Sequence, residues 1–126
     1  MDVRYAKRRL TAGLATILIA STAYSQVPQG DAARGQALYQ ACTGCHSIDE
    51  NDVGPKHRGV VGRTAGSLPD YAYSSALRAS GLVWDPGNLD RWLTNPQGLV
   101  PGTKMYFSLA NSQSRADIIA YLAQLK

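Results

Sequence analysis

The sequence predicts an all-α domain, and three observations carry that reading. Two stretches repeat apolar residues at helical spacing, asparagine–proline and aspartate–proline pairs punctuate the chain between them, and only Gly59-Val60-Val61 is ambiguous as a strand. The first helix opens at Asp31, a good N-cap, after which Gly35, Leu38, Tyr39 and Cys42 fall at i, i+3, i+4 and i+7. The last repeats this spacing with Ile118, Tyr121, Leu122 and Leu125, capped by Ser112 or by Ser114, which makes a weak capping box with Asp117. Gly35, lacking a side chain, is the natural point for these two helices to cross, with Tyr39 and Tyr121 flanking the contact; otherwise it is merely tolerated, at about 1 kcal/mol against alanine. Between them, Asp85-Pro86 reads as an N-cap with proline at the first helical position, opening a short helix through Leu89, Trp92 and Leu93 that Asn95-Pro96 stops. A brief helix over 74–79 precedes Gly81, and the remainder is glycine- and proline-rich loop.

Residues 1–25 read as a secretory signal peptide. Arg4, Lys7, Arg8 and Arg9 give a basic start, followed by the apolar stretch Leu10 to Ala20, which at 11 residues falls well short of the roughly 20 that a membrane span needs. Ala23 and Ser25 are small residues suited to a cleavage site, which puts the mature start near Gln26; an uncleaved anchor is the alternative. The Arg8-Arg9 pair is treated as ordinary positive charge. Residues 26–126 then form one domain, with no repeat or composition break. The whole-chain pI of about 9.3 misrepresents that domain, because from Gln26 onward nine Lys or Arg face eight Asp or Glu, a formal +1. Near-neutral charge gives no argument for nucleic-acid binding or for a polybasic membrane contact.

The run Cys42-Thr43-Gly44-Cys45-His46 carries the chemistry. Two thiols two residues apart on one helical turn can each add to a vinyl group of the same porphyrin edge, and the adjoining His46 then lies beneath the metal as proximal ligand. The competing readings fit less well. A zinc site needs four ligands, and beyond His46 the only remaining Cys or His is His57. A thioredoxin-like pair needs a βαβ setting that is absent here, and a Cys42–Cys45 disulfide would close a small, strained ring. One covalently bound haem c is therefore expected, and its macrocycle would supply a large apolar body around which so short a chain can pack. For the sixth iron position the sequence offers Met105, in the proline-stiffened loop Val100-Pro101-Gly102-Thr103-Lys104-Met105, since Met1 leaves with the signal. A lone methionine is also common core filler, and spacing leaves both roles open.

The chain resembles the class I, mitochondrial-type c-type cytochromes, specifically a bacterial periplasmic monohaem member, over essentially all of residues 31–125. The ordered motifs are CTGCH at 42–46, GPKHRGVVGR at 54–63, YAYSSALRASGLVW at 71–84, LDRWLTNP at 89–96, PGTKMYF at 101–107 and RADIIAYL at 115–122. The resemblance implies a fold in which N- and C-terminal helices cross and short helices and loops wrap one haem. It implies His46 and Met105 as axial iron ligands. Pro55 would offer its carbonyl to His46; Arg63, Tyr73 and Trp84 would hold a buried propionate; Thr103 would lie near the other; and Phe107 would shield the exposed haem edge. There are departures. Trp92 stands where a tyrosine hydroxyl usually contacts the methionine sulfur, Leu77 replaces a polar asparagine, and His57 falls where many members carry an apolar residue, as a pocket or surface histidine or, less simply, an alternative ligand. The loop over 47–53 is short, and the ring of guiding lysines is mostly missing.

The expected function is electron carriage in the periplasm, cycling Fe(II)/Fe(III) with no catalysed reaction. The expected partners are redox proteins: a donor such as a quinol:cytochrome c oxidoreductase or a periplasmic dehydrogenase, and an acceptor such as a terminal oxidase. Partners would engage a monomer briefly near Lys56, Arg78, Lys104 and Phe107. The alternatives are a cytochrome subunit held by a periplasmic dehydrogenase, and a haem sensor or peroxidase-like enzyme in which Met105 is displaced.

Overall fold

The computed structural model describes residues 28–126, so the signal peptide assigned to 1–25 and its cleavage site lie outside the described residues. Five helices follow in chain order: α1 (Ala32–Leu38), α2 (Ser75–Ala79), α3 (Pro86–Thr94), α4 (Pro96–Leu99) and α5 (Ser112–Leu122), with a 3-10 turn over Tyr39–Cys42 continuing α1. Among the described residues the only strand-like pairing is an isolated bridge between Thr64 and Val83, and residues 59–61 lie in turns. No helix among them is long and apolar enough to cross a membrane.

The caps predicted at Asp31 and Asp85 are present, and Ser74, placed inside the predicted helix, caps α2 as well. Asp31 accepts from the Arg34 amide at 2.8 Å, Ser74 from Leu77 at 3.0 Å and Asp85 from Asn88 at 2.7 Å, each satisfying an amide that the helix itself leaves unpaired. Two local expectations are corrected. The cap of α5 is Asn111, which accepts from the Ser114 amide at 2.8 Å, so Ser112 and Ser114 lie inside the helix. Asn95-Pro96 does end α3, but Asn95 also accepts from Gly98 at 2.9 Å and so opens α4 at once. A stop and a start share one dipeptide.

The helix crossing falls at Gly35. A Cβ built there would collide with the Asp117 carbonyl, so only glycine lets the α1 backbone lie directly on α5. Tyr39 and Tyr121 close the contact from one side, with ring centroids 5.4 Å apart. Polar groups lock the other. The Asp117 carboxylate, 2% exposed, accepts from the Asp31 amide at 2.7 Å, from Arg34 at 2.8 and 3.0 Å and from Gln113 at 2.9 Å. Arg115, 8% exposed, plays the matching part between α5 and α3, donating to Asp90 at 2.7 Å.

Two expectations follow. Gly35→Ala should destabilise the fold by about 1–3 kcal/mol or more, since the added methyl meets backbone that cannot rotate away; chemical denaturation of the haem-loaded protein checks it. The Arg34 hydrogen bond and neighbouring donors hold the Asp117 carboxyl well below the usual carboxylate range. Its folded value is thus lower than its unfolded value of about 4, so this stabilisation is complete above about pH 4 and is lost as pH falls below it. In an acid titration followed by circular dichroism, Asp117→Asn should be less stable than the parent at neutral pH and should show a shallower loss of stability below about pH 4.

Candidate functional site

A cavity of about 420 Å³ occupies the middle of the molecule, and most of the buried apolar side chains line it. Its lining brings together every residue expected from the sequence: Cys42, Cys45, His46 and Pro55 from the first half, Arg63, Tyr73, Trp84 and Trp92 from the middle, and Thr103, Met105 and Phe107 from the loop before α5. Residues 63 positions apart in the chain, from Cys42 to Met105, line a single volume.

The cysteines arrive differently from expectation. The α-helix ends at Leu38; Cys42 closes the 3-10 turn, and Cys45 follows in a tight turn whose amide donates to the Cys42 carbonyl at 3.1 Å. The His46 amide donates to the same carbonyl at 2.9 Å, so the run curls around Cys42 instead of extending the helix. Both thiols are free and line the cavity, as double thioether formation requires. Burial pushes the Cys42 thiol up, with Cys45 adding to the shift.

His46 is oriented by its neighbours. Its Nδ1 donates to the Pro55 carbonyl at 2.7 Å, and because a carbonyl can only accept, the proton is fixed on Nδ1 and Nε2 is left with its lone pair. Burial lowers the imidazole's pKa against the opposing effect of that carbonyl, favouring the neutral ring that metals bind. Gly54 lies against the ring itself; a Cβ there would collide with Cε1 and lie 2.6 Å from Nδ1 and 2.7 Å from Nε2. Its amide donates to the Cys45 carbonyl at 2.6 Å, tying the Pro55 segment back to the cysteine turn.

Met105 sits in a loop without secondary structure, yet the loop is anchored at several points. Gln97 of α4 donates to the Thr103 carbonyl at 2.7 Å and to the Met105 carbonyl at 3.0 Å. Lys104 donates to the Ala72 carbonyl at 2.9 Å. Beyond Met105, the Leu109 amide donates to Leu93 at 2.7 Å, and Arg115 donates to the carbonyls of Leu109 and Ala110, both at 2.9 Å. Gln97 was not singled out from the sequence, where Asn95-Pro96 reads as a terminator; the proline–glutamine–glycine segment after it forms α4 and supplies the anchor.

The polar lining fits a porphyrin with acidic arms. Arg63 is half-buried and donates to the carbonyls of Lys56 at 2.9 Å and Arg58 at 3.3 Å, but it has no carboxylate partner among the described residues, and burial lowers its pKa. A desolvated guanidinium with unused donors is suited to receive a propionate. Trp84 is held beside it, its amide donating to the Arg63 carbonyl at 2.9 Å, while Tyr73 and Thr103 are 7% and 4% exposed. Much of the remaining lining is apolar: Val60, Leu77, Leu89, Leu93, Ile118 and Leu122, with Trp92 packed 5.0 Å from Trp84. At the rim, Phe107 is 41% exposed, and Tyr106 and Val53, neither picked out from the sequence, are 79% and 70% exposed.

Paired thiols, an adjoining histidine with a free Nε2 and a largely apolar cavity whose half-buried guanidinium lacks a carboxylate partner among the described residues together define a c-type haem protein. Comparison with known proteins agrees. The family described as cytochrome c matches residues 32–126. Cytochrome c2 of Rhodomicrobium vannielii is 43% identical over 113 residues, covering 86% of this chain and 88% of that protein. Cytochrome cH from Methylobacterium extorquens superposes with a TM-score of 0.73 at 45% identity, over 75% of this chain and 99% of that one. Ferricytochrome c2 from Rhodopseudomonas palustris gives 0.73 at 41% identity, over 76% and 99%. The chain belongs to the cytochrome c family, binds haem c covalently and is a cytochrome c2-like electron carrier.

If Gln97 holds the loop through two carbonyls, Gln97→Ala should leave the fold near its parental stability but let Met105 move. On the sequence expectation that Met105 is an iron ligand, the sulfur-to-iron charge-transfer band of the oxidised protein should then disappear at a lower temperature than global melting, a gap that is narrower in the parent. Absorption and circular dichroism recorded on one heating ramp separate the two events.

Proposed function

We propose that this protein is a periplasmic electron shuttle in which His46 and Met105 fill both axial positions of a haem attached through Cys42 and Cys45. The observation that carries the reading is the pinned Met105 loop, which commits a thioether to the same cavity as His46 and the paired cysteines. The haem supplies a one-electron Fe(II)/Fe(III) couple; histidine and methionine together stabilise the reduced state and leave no position for a substrate. The chain's own contribution is to keep those ligands in place. Pro55 holds the proton on His46 Nδ1, Leu77 and the paired tryptophans exclude water, Arg63, Tyr73, Trp84 and Thr103 receive the propionates, and Phe107 covers the edge. Trp92, in place of a hydroxyl-bearing ring, leaves the sulfur with an indole N–H or with no donor.

Docking at that edge would draw on few charges. Lys56 is paired with Asp70 at 3.1 Å, while Arg78 and Lys104, which donate to the neutral carbonyls of Tyr73 at 3.1 Å and Ala72 at 2.9 Å, keep their positive charge. Tyr106, Val53 and Phe107 are the exposed side chains at the cavity mouth, and aromatic residues of this kind anchor small interfaces. A free carrier with brief encounters accounts for so small an apolar rim better than a permanently held subunit does.

Met105→Ala tests the ligand set. The charge-transfer band should vanish and the midpoint potential should fall, while carbon monoxide, which the reduced parent should refuse at neutral pH, should now bind. A surviving band would remove Met105 from the iron; a parent that binds carbon monoxide readily would favour the sensor or peroxidase-like reading.

A further inference from the structure

His57 has no part in the roles assigned so far, yet it lies in the cavity wall against the proximal histidine. Its ring stacks on that of His46 with centroids 4.0 Å apart and planes 20° from parallel. Its Nδ1 is 2.9 Å from the Tyr39 hydroxyl, at hydrogen-bond distance. Tyr39 is only 3% exposed and packs on Tyr121 of α5, and the His57 backbone is itself held, its amide donating to the Ser47 carbonyl at 3.0 Å. A continuous set of contacts thus runs from the α1–α5 crossing through Tyr39 and His57 to His46.

The Pro55 hydrogen bond and the Gly54 backbone restrain the His46 ring, but a hydrogen bond tolerates a spread of some tens of degrees in angle and so leaves the ring plane room to rock about the Cβ–Cγ bond. A flat partner stacked on the face removes that freedom. An aliphatic side chain at position 57 would fill the space without presenting a plane, and without a polar atom for Tyr39 to hold. We infer that His57, tethered by Tyr39, is a positioning residue that sets the rotational angle of the His46 imidazole plane and, as a polar ring beside the iron's ligand, tunes the potential. This rests on His46 being the proximal ligand.

The plane of an axial imidazole governs how unpaired spin is spread over a ferric haem, so the proton shifts of the four haem methyls in the oxidised holoprotein read it directly. His57→Leu should reorder or compress those methyl shifts and raise the midpoint potential, because hydrocarbon in place of a polar ring disfavours the more charged ferric site. Tyr39→Phe, which keeps the packing ring and removes only the hydroxyl, should change the methyl pattern in the same sense by a smaller amount, and should add nothing further in the His57→Leu background. Methyl shifts and potential unchanged in His57→Leu, with only a lowered melting temperature, would reduce His57 to packing and overturn the inference. Should His57→Leu fail to mature, unchanged methyl shifts in Tyr39→Phe overturn it alone; additive effects in the double variant refute the tether. The hyperfine-shifted ring protons of His46 in the parent spectrum test the ligand separately: their absence defeats the ligand assignment, whereas their presence with unmoved methyls defeats only the role of His57.

Discussion

The crossing of α1 on α5 at Gly35 determines where everything else can be. Because the α1 backbone rests on the Asp117 carbonyl, the path of the chain leaving α1 is fixed to within a side-chain contact, and the cysteine turn begins only four residues later at Tyr39. The Asp117 carboxylate then reaches back to the Asp31 amide and to Arg34, so the same residue supplies the close approach through its backbone and the lock through its side chain. Displacing α1 would move Tyr39, and with it the turn that carries Cys42 and Cys45. The site inherits its geometry from a contact that it does not include.

The second constraint is that a loop must behave like a rigid element. Residues 100–110 have almost no internal backbone pairing, a condition under which chain segments ordinarily move. Here the stiffness comes from side chains that tie the loop to the rest of the molecule. Gln97 holds the carbonyls on both sides of Lys104, Lys104 bridges to Ala72, and Arg115 holds the far end while also joining α5 to Asp90. For the Met105 ligation proposed above, such rigidity matters because any ligand movement between oxidation states adds to the barrier for electron transfer. Anchoring through backbone carbonyls leaves the Met105 side chain itself without a hydrogen-bond partner among the described residues.

The sequence made the helical class, two of the caps, the Gly35 crossing and the paired cysteines with their histidine legible, since each depends on local spacing or on a residue type with few uses, whereas the rest of the cavity lining was implied by the family resemblance. Other features were hidden for identifiable reasons. The end of α1 at Leu38 could not be seen because the apolar spacing runs on through Cys42, and a 3-10 turn keeps side chains on nearly the same face over one turn. Asn111 was passed over for serines that are equally good caps on paper. Asp117 resembled a capping-box partner, whereas apart from Gln113 its partners lie more than eighty residues away at Asp31 and Arg34, a separation that no local pattern encodes. His57 was visible as a departure from the family pattern, but its stacking on His46 depends on tertiary structure alone.

Burial also explains why this small domain and its cofactor cannot be considered apart. Val60, Leu77, Trp84, Leu89, Trp92, Leu93, Ile118 and Leu122 are all buried and all line the cavity, so the apolar core is built around that volume rather than beside it. At about 24 cal/mol per Å³, keeping a dry cavity of about 420 Å³ would cost on the order of 10 kcal/mol. That is comparable with the whole stability of a typical domain, about 5–15 kcal/mol. Arg63 adds a desolvated charge whose nearest protein acceptors are neutral carbonyls. A macrocycle with acidic arms answers both costs at once, filling the volume and supplying the counter-charge. Attachment through Cys42 and Cys45 makes that contribution permanent, so ligand geometry, dryness and fold stability are consequences of a single covalent event.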